Sequence, residues 1–218
     1  VGYEHAPHRR HHHDSWRRRG LILPPAIAPY QVVIVPVAAH KPGVLEKAEE
    51  LRARLSKFVR VKLDDSENSP GWKFAQWEMK GVPLRLEIGP KDIENGQCVL
   101  VRRDNREKLA FNKAGRPGRP PVPALLDALG KSLYARAEAN RAGRTWTATT
   151  MDEVLERAGG ENGYIKTMWC GNLACEEMMK EKAGLSSRCM PFAQEHLSDV
   201  CPCCGKPAKA MVVWGKAY

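Results

Sequence analysis

The 218-residue sequence predicts an α/β fold: a mixed-sheet domain followed by a smaller α/β domain that carries paired cysteines. Three observations carry this expectation. From residue 31 to about 111, short apolar, β-branched runs alternate with stretches of helical period, the rhythm of a sheet with helices on its faces. Gly115 to Pro123 (GRPGRPPVP) is dense in element-breaking residues and marks a natural boundary. Beyond it, Cys170 and Cys175 form one close pair and Cys201 and Cys204 another.

Taken in order, residues 31–37 (QVVIVPV) are short, apolar and β-branched, and predict a buried strand. Pro42 is expected to open a helix in which Val44, Ala48, Leu51 and Leu55 share one face. Val59, Val61 and Leu63 alternate as a half-buried strand would. A turn at Pro70-Gly71 is expected to lead into a short helix through Trp72, Phe74 and Trp77. The next strand buries Leu84, Leu86 and Ile88 and turns Arg85 and Glu87 to its other face. Residues 98–103 (CVLVRR) follow as a strand, with Glu107–Phe111 suited to pair beside it. After the boundary, Leu125, Leu126, Leu129, Leu133 and Ala137 form the stripe of a helix ending near Gly143. Thr150 with Glu153 three residues on is a capping-box signature, and Gly159-Gly160 stops the helix it begins. The cysteine-bearing region occupies 164–218, and no internal repeat is visible.

Hydrophobic residues at 43% and charged residues at 28% indicate a globular chain rather than a disordered one. A formal charge of +10 favours polyanionic partners such as nucleic acid or an acidic membrane surface, against the alternative of a basic, solvated surface. Residues 1–20 hold five of the seven histidines and an Arg17-Arg18-Arg19 run, with no apolar stretch that would serve as a secretory signal. They read as a disordered or artificially appended tail, with metal binding by His11-His12-His13 the alternative. Residues 21–39 carry no charge, but Pro24, Pro25, Pro29 and Pro36 each remove a backbone donor that a membrane helix needs. No membrane partner is expected.

Seven cysteines without a signal peptide point to a reducing compartment, the cytoplasm, and to thiols or metal rather than disulfides. Cys201 and Cys204 sit in CPCCG, where Pro202 and Gly205 supply a tight turn that aims two thiolates at one point. Four thiolates around Zn²⁺ make a closed tetrahedral site, structural rather than catalytic. Two alternatives stay open: buried reduced cysteines without metal, and a redox pair at CPCC. Of the remaining three, Cys98 reads as a core strand residue, Cys189 as a buried thiol, and Cys203 as a competitor for the metal.

Five stretches together resemble prolyl-tRNA synthetase of the archaeal and eukaryotic type: GLILPPAIAPYQVVIVPV, SPGWKFAQWEMKGVPLRLEIGPKD, QCVLVRRDNREK, WCGNLACEEMMKEKAGLSSRCMPF and CPCCGKPAKAMVVWGKAY. The resemblance runs from about Gly20 to Tyr218. It implies a tail or catalytic-domain remnant at 1–28, an α/β anticodon-binding domain at 29–120, and a helical connection with a zinc-binding domain at 121–218. It further implies zinc on Cys170, Cys175, Cys201 and Cys204, and tRNA(Pro) as partner. Contacts to the anticodon would fall on Phe74, Glu78, Arg85, Lys91 and Asp92, with Glu87, Arg102 and Arg103 as neighbours. The two guanines of proline anticodons would be read by stacking on aromatic rings and by hydrogen bonds to carboxylates and to Arg or Lys. Without the resemblance, the charged residues read as a surface ion-pair face and the aromatics as core.

The resemblance also implies proline–tRNA ligation with ATP and Mg in a full-length enzyme, which is a homodimer largely through its catalytic domain. The three class II motifs would lie upstream of residue 20, so no aminoacylation is expected from this chain alone. Ser15-Trp16-Arg17-Arg18-Arg19 stands where the family shows His-Gly-Asp-Asp, and Ala26 where an arginine is common. The departure suits a truncated, frame-shifted or diverged N-terminus. Tyr218 matches the family's terminal tyrosine, whose carboxylate docks towards the active site, although WGKAY departs from the usual Gly-Arg/Lys-Ser-Tyr. The rival expectations are a stand-alone tRNA- or RNA-binding module and a zinc-stabilised protein-interaction module.

Overall fold

A computed structural model describes residues 20–112 and 122–216, in two compact units that divide between Ala135 and Arg136. His11-His12-His13, Tyr218 and most of the GRPGRPPVP break lie outside the described residues.

The first unit is a five-stranded mixed sheet in the order β2-β1-β3-β4-β5. Its strands are β1 (Val32–Pro36), β2 (Val61–Leu63), β3 (Leu84–Ile88), β4 (Gln97–Arg102) and β5 (Lys108–Asn112). β1 pairs in parallel with β2 and β3, while β3, β4 and β5 pair antiparallel. Helices α1 (Val44–Leu55) and α2 (Pro70–Met79) make the two crossovers that parallel pairing requires. A short α3 (Pro90–Glu94) follows β3.

Both faces of β1 are covered, so all five of its residues are buried and its sequence shows no polar alternation. One face packs Val32, Ile34, Leu84, Leu86, Ile88 and Leu100 against Ala48 and Leu55 of α1. The first turns of α4 (Val122–Ala142) join this core through Leu126 and Leu129. On the other face, Val33 and Val35 meet Trp77 and Val82, with Phe74 packed alongside. Arg85 and Glu87 lie on that same face, opposite Val33 and Val35 in register.

Two helix starts differ from expectation. α1 begins at Val44 rather than at Pro42, because Gly43 just before it holds a left-handed conformation (φ 80°) that no helical residue adopts. Pro70 and Gly71 form no separate turn; they are the first residues of α2, capped by Ser69, whose hydroxyl accepts from the Trp72 amide at 3.4 Å. Proline at the first helical position loses only an N–H that has no partner there. The strand expected from Val59 is confined to Val61–Leu63. Upstream, the proline-rich lead-in turns back on the unit: the Arg60 guanidinium donates to the carbonyls of Pro25, Ala26 and Ala28 at 2.9–3.0 Å. Among the described residues no helix is long and apolar enough to cross a membrane.

The second unit is a four-stranded sheet in the order β6-β7-β9-β8. It comprises β6 (Thr145–Thr147), β7 (Tyr164–Trp169), β8 (Leu185–Cys189) and β9 (Ala210–Lys216), with helices α5 (Met151–Gly159) and α6 (Leu173–Ala183). β6 and β7 are parallel, and the other pairings are antiparallel. The Thr150 hydroxyl accepts from the Glu153 amide, and the Glu153 carboxylate accepts from the Thr150 amide, completing the expected capping box. Val154, Ile165, Met179, Leu185, Val212 and Trp214 form the core. The Trp214 indole donates to the Thr167 hydroxyl at 2.9 Å, which satisfies both buried polar groups. Both units are therefore α/β with a mixed sheet.

Candidate nucleic-acid interface and metal centre

Arg85 is the hub of the first candidate site. Its guanidinium donates to Glu87 at 2.9 Å and to Glu78 at 3.1 Å, and lies 4.0 Å from the centroid of the Phe74 ring. Two carboxylates and one aromatic face fix a planar fork in place, an arrangement suited to Arg rather than Lys. Phe74 and Glu78 are four residues apart on α2, so helical geometry alone sets them on one stripe facing β3.

That stripe is oriented by its neighbour. Lys73 and Trp77, also four apart, are both held by Asp64 at the end of β2. The Lys73 ammonium donates to the Asp64 carbonyl at 3.0 Å, and the Trp77 indole to the Asp64 carboxylate at 2.6 Å. Ser66 adds two further donors to that carboxylate. Burial pushes the Asp64 pKa up, but the bonds from Ser66 and Trp77, with the charge of Lys73, leave it below the ordinary carboxylate value. Lys73 is only 2% exposed, so its charge is stable there only because the pair is hydrogen-bonded.

Lys91 and Asp92 belong to α3, just past the end of β3. Lys91 is exposed, and its ammonium makes no hydrogen bond or ion pair among the described residues. The Asp92 carboxylate accepts from the Gly89 amide at 2.9 Å and so closes the first turn of α3. Among the described residues, no hydrogen bond or ion pair joins either to the Arg85 cluster. Trp72 is exposed on α2, and Met79, another large apolar side chain, is 68% exposed at its end.

Beside Arg85 opens a cleft of about 200 Å³ lined in part by Glu78, Arg102, Arg103, Arg106 and Lys108. Arg102 is held by Asp104 through two bonds of 3.0 and 2.8 Å. Burial lowers the pKa of Arg103, which is 6% exposed. Arg106 sits in the β4–β5 hairpin at φ 63°, a left-handed conformation uncommon for a side chain of this kind. Arg106 and Lys108 were not singled out by sequence pattern; the alternation of β5 could have drawn attention to Lys108, but nothing local marks Arg106.

The second site joins three segments of the other unit. Cys170 follows β7, Cys175 lies in the first turn of α6, and Cys201 and Cys204 flank a tight turn ahead of β9. The Gly205 amide donates to the Cys201 carbonyl at 2.9 Å, and Gly205 takes φ 66°, which lets the turn close. The four sulfurs all lie within 4.8 Å of one another. Cys170 and Cys175 are 3.6 Å apart, and Cys170 and Cys204 3.7 Å. With metal–sulfur bonds of about 2.3 Å, a tetrahedral ion places its ligands about 3.8 Å apart. These thiols therefore have the separation that a metal ion needs. Burial pushes the Cys175 thiol up, whereas the Lys206 amide above all pulls exposed Cys204 down to about 7.

The three remaining cysteines part company. Cys98 is a core residue of β4, as expected. Cys203 is outside the four-sulfur group; its thiol donates to the Cys175 carbonyl at 3.5 Å, and burial raises its pKa to about 11. Cys189 is exposed, contrary to the expected buried thiol, because β8 is an edge strand whose last three residues leave the core.

Comparison with known proteins matches both units. A family model described as "Anticodon binding domain" covers residues 31–114, and one described as "Prolyl-tRNA synthetase, C-terminal" covers residues 151–218. Proline--tRNA ligase of Clostridium novyi (strain NT) is 59% identical over 91% of this chain and 41% of its own length. Proline--tRNA ligase 2 of Bacillus thuringiensis (strain Al Hakam), at 55%, and Proline--tRNA ligase of Ruminiclostridium cellulolyticum, at 57%, match over the same shares. The chain thus spans about two-fifths of the length of these relatives. With both domains in this order, and relatives this similar along nine-tenths of its length, the chain belongs to the prolyl-tRNA synthetase family, as its anticodon-binding and C-terminal domains.

Proposed function

We propose that the chain recognises the anticodon of tRNA(Pro) as the C-terminal part of a proline–tRNA ligase. The observation that carries this reading is the Arg85 fork, held by Glu78 and Glu87 over Phe74, inside the segment matched as an anticodon-binding domain. An unstacked guanine offers donors to a carboxylate and acceptors to an arginine, and a ring to stack upon. Glu78, Arg85 and Phe74 supply all three from one surface. Lys91 and Asp92 extend the contact from α3, Lys91 through a charge that no acid neutralises among the described residues.

In this reading residues 29–120 bind the anticodon, and 121–218 form the connection and a domain braced by zinc on Cys170, Cys175, Cys201 and Cys204. The donor set of four thiols favours zinc over harder cations. The whole enzyme, of the archaeal and eukaryotic type, is cytoplasmic and homodimeric, uses ATP and Mg in a catalytic domain, and receives the carboxylate of Tyr218. The test is binding of the purified chain to tRNA transcripts carrying proline's anticodon and to transcripts with both guanines replaced, at one fixed salt concentration. A clear preference for the guanine anticodon supports the reading. Equal binding reduces the chain to a basic, cysteine-rich module with another partner.

A further inference from the structure

The cleft beside Arg85 is lined in part by side chains that base reading does not use. Among the described residues, five cationic side chains, Arg85, Arg102, Arg103, Arg106 and Lys108, meet there with a single carboxylate, Glu78. Glu87, Asp104 and Glu107, which pair with Arg85, Arg102 and Lys108, are not among the described residues that line it. Arg106 has no carboxylate against its guanidinium among the described residues, although its backbone is held at φ 63°. A conformation that glycine or asparagine would adopt more readily is here occupied by a long cation, the kind of outlier that marks a functional demand. Arg103 adds a guanidinium largely removed from water, where attraction to an anion is least screened.

We propose that this cleft binds a phosphodiester of the RNA loop whose bases meet Arg85, with Arg103 and Arg106 as its principal ligands. Guanidinium forks match the paired oxygens of a phosphate, and the cleft, at about 200 Å³, has room for one such group. This rests on the reading of the Arg85 face as an anticodon contact. The two groups of residues then divide the work: Arg85, Glu78 and Phe74 choose the sequence, while the cleft fixes where the backbone lies.

The variant that tests it is Arg106→Gly, which removes the charge and suits the left-handed backbone, so the fold is retained. Binding is measured to both transcripts, guanine-bearing and guanine-replaced, across a salt series. The slope of log affinity against log salt should fall by about 0.7, the value for one phosphate contact on a single strand. Affinity should fall by the same factor for both transcripts, leaving the preference between them unchanged. Arg106→Lys should keep the slope, and Lys57→Gln, an equal charge loss at an exposed residue that does not line the cleft, should not alter it. An Arg106→Gly slope equal to the parent's, or an equal drop in Lys57→Gln, overturns the proposal whatever preference the parent shows. A parent indifferent to the anticodon overturns the base reading, and with it the assignment of the phosphate to that loop.

Discussion

Metal dependence of the second unit can be worked through from its geometry. The four sulfurs of Cys170, Cys175, Cys201 and Cys204 tie a loop after β7, the start of α6 and the turn before β9. An ion on all four exists only in the folded state, so it stabilises that state by mass action. At free metal 100 times its dissociation constant the gain is about 2.7 kcal/mol, and at 1,000 times about 4.1 kcal/mol. The unit that gains it spans residues 136–218. For a domain of that size, 1 kcal/mol shifts the melting temperature by about 4–8 °C. Stripping the metal with a chelator should therefore lower the melting of this unit by about 10 °C or more, reversed by added Zn²⁺. Cys201→Ser should behave like the stripped protein, because Cys201 is 1% exposed and its sulfur belongs to the group. Cys203→Ser should still respond to zinc and show the absorption of tetrahedral Co²⁺ thiolate when cobalt replaces zinc. Calorimetric melts with chelator, zinc and each variant decide it. Identical melting with and without metal, or a loss in Cys203→Ser as large as in Cys201→Ser, refutes the assignment.

Two further predictions concern the first unit. Arg85→Ala should weaken binding to tRNA with proline's anticodon by about 1–3 kcal/mol and abolish the preference over guanine-replaced transcripts, as titrations of both would reveal. Equal affinity of variant and parent for the guanine transcript would dismiss the contact. Asp64, held below its ordinary pKa by Ser66, Trp77 and Lys73 against its burial, contributes stability that is present above about pH 4 and lost as pH falls through the folded value. Asp64→Asn should be less stable than the parent at pH 7, with the gap narrowing on acidification. Urea midpoints of both proteins at pH 7, 4 and 3 measure it, and a constant gap would contradict the role of the charge.

The parts of the fold that sequence alone made legible are those whose signal is local. The apolar run of β1, the alternation of β3, the stripe through Leu126 and Leu129 and the Thr150–Glu153 cap each report their own environment within a few residues. Where the reading missed, the deciding partner was elsewhere. Pro42 looks like a helix start until Gly43 is seen to turn left-handed, and Cys189 looks buried until β8 proves to be the sheet edge. Lys73 would be placed on the solvent face of any helix, and only the parallel register of β1 and β2 brings Asp64 under it. In the second unit β6 is only three residues long and the last three residues of β8 are exposed, so neither carries a period that delimits it. At the Arg85 site, alternation put Arg85 and Glu87 on one face, but their junction with Phe74 and Glu78 depends on how α2 crosses the sheet.

The grip of Asp64 on α2 has a mechanical consequence. The helix carries two adjacent stripes, Lys73 with Trp77 and Phe74 with Glu78, separated by one residue, or roughly 100° of rotation. Asp64 acts on the first as a key acts on a shaft: it forbids roll about the helix axis. While it is seated, the ring of Phe74 and the carboxylate of Glu78 point one way, before any ligand arrives. The orientation of a recognition surface is thereby stored in a buried ion pair on another side of the same helix, and a change there would reach the surface as a turn of the whole element.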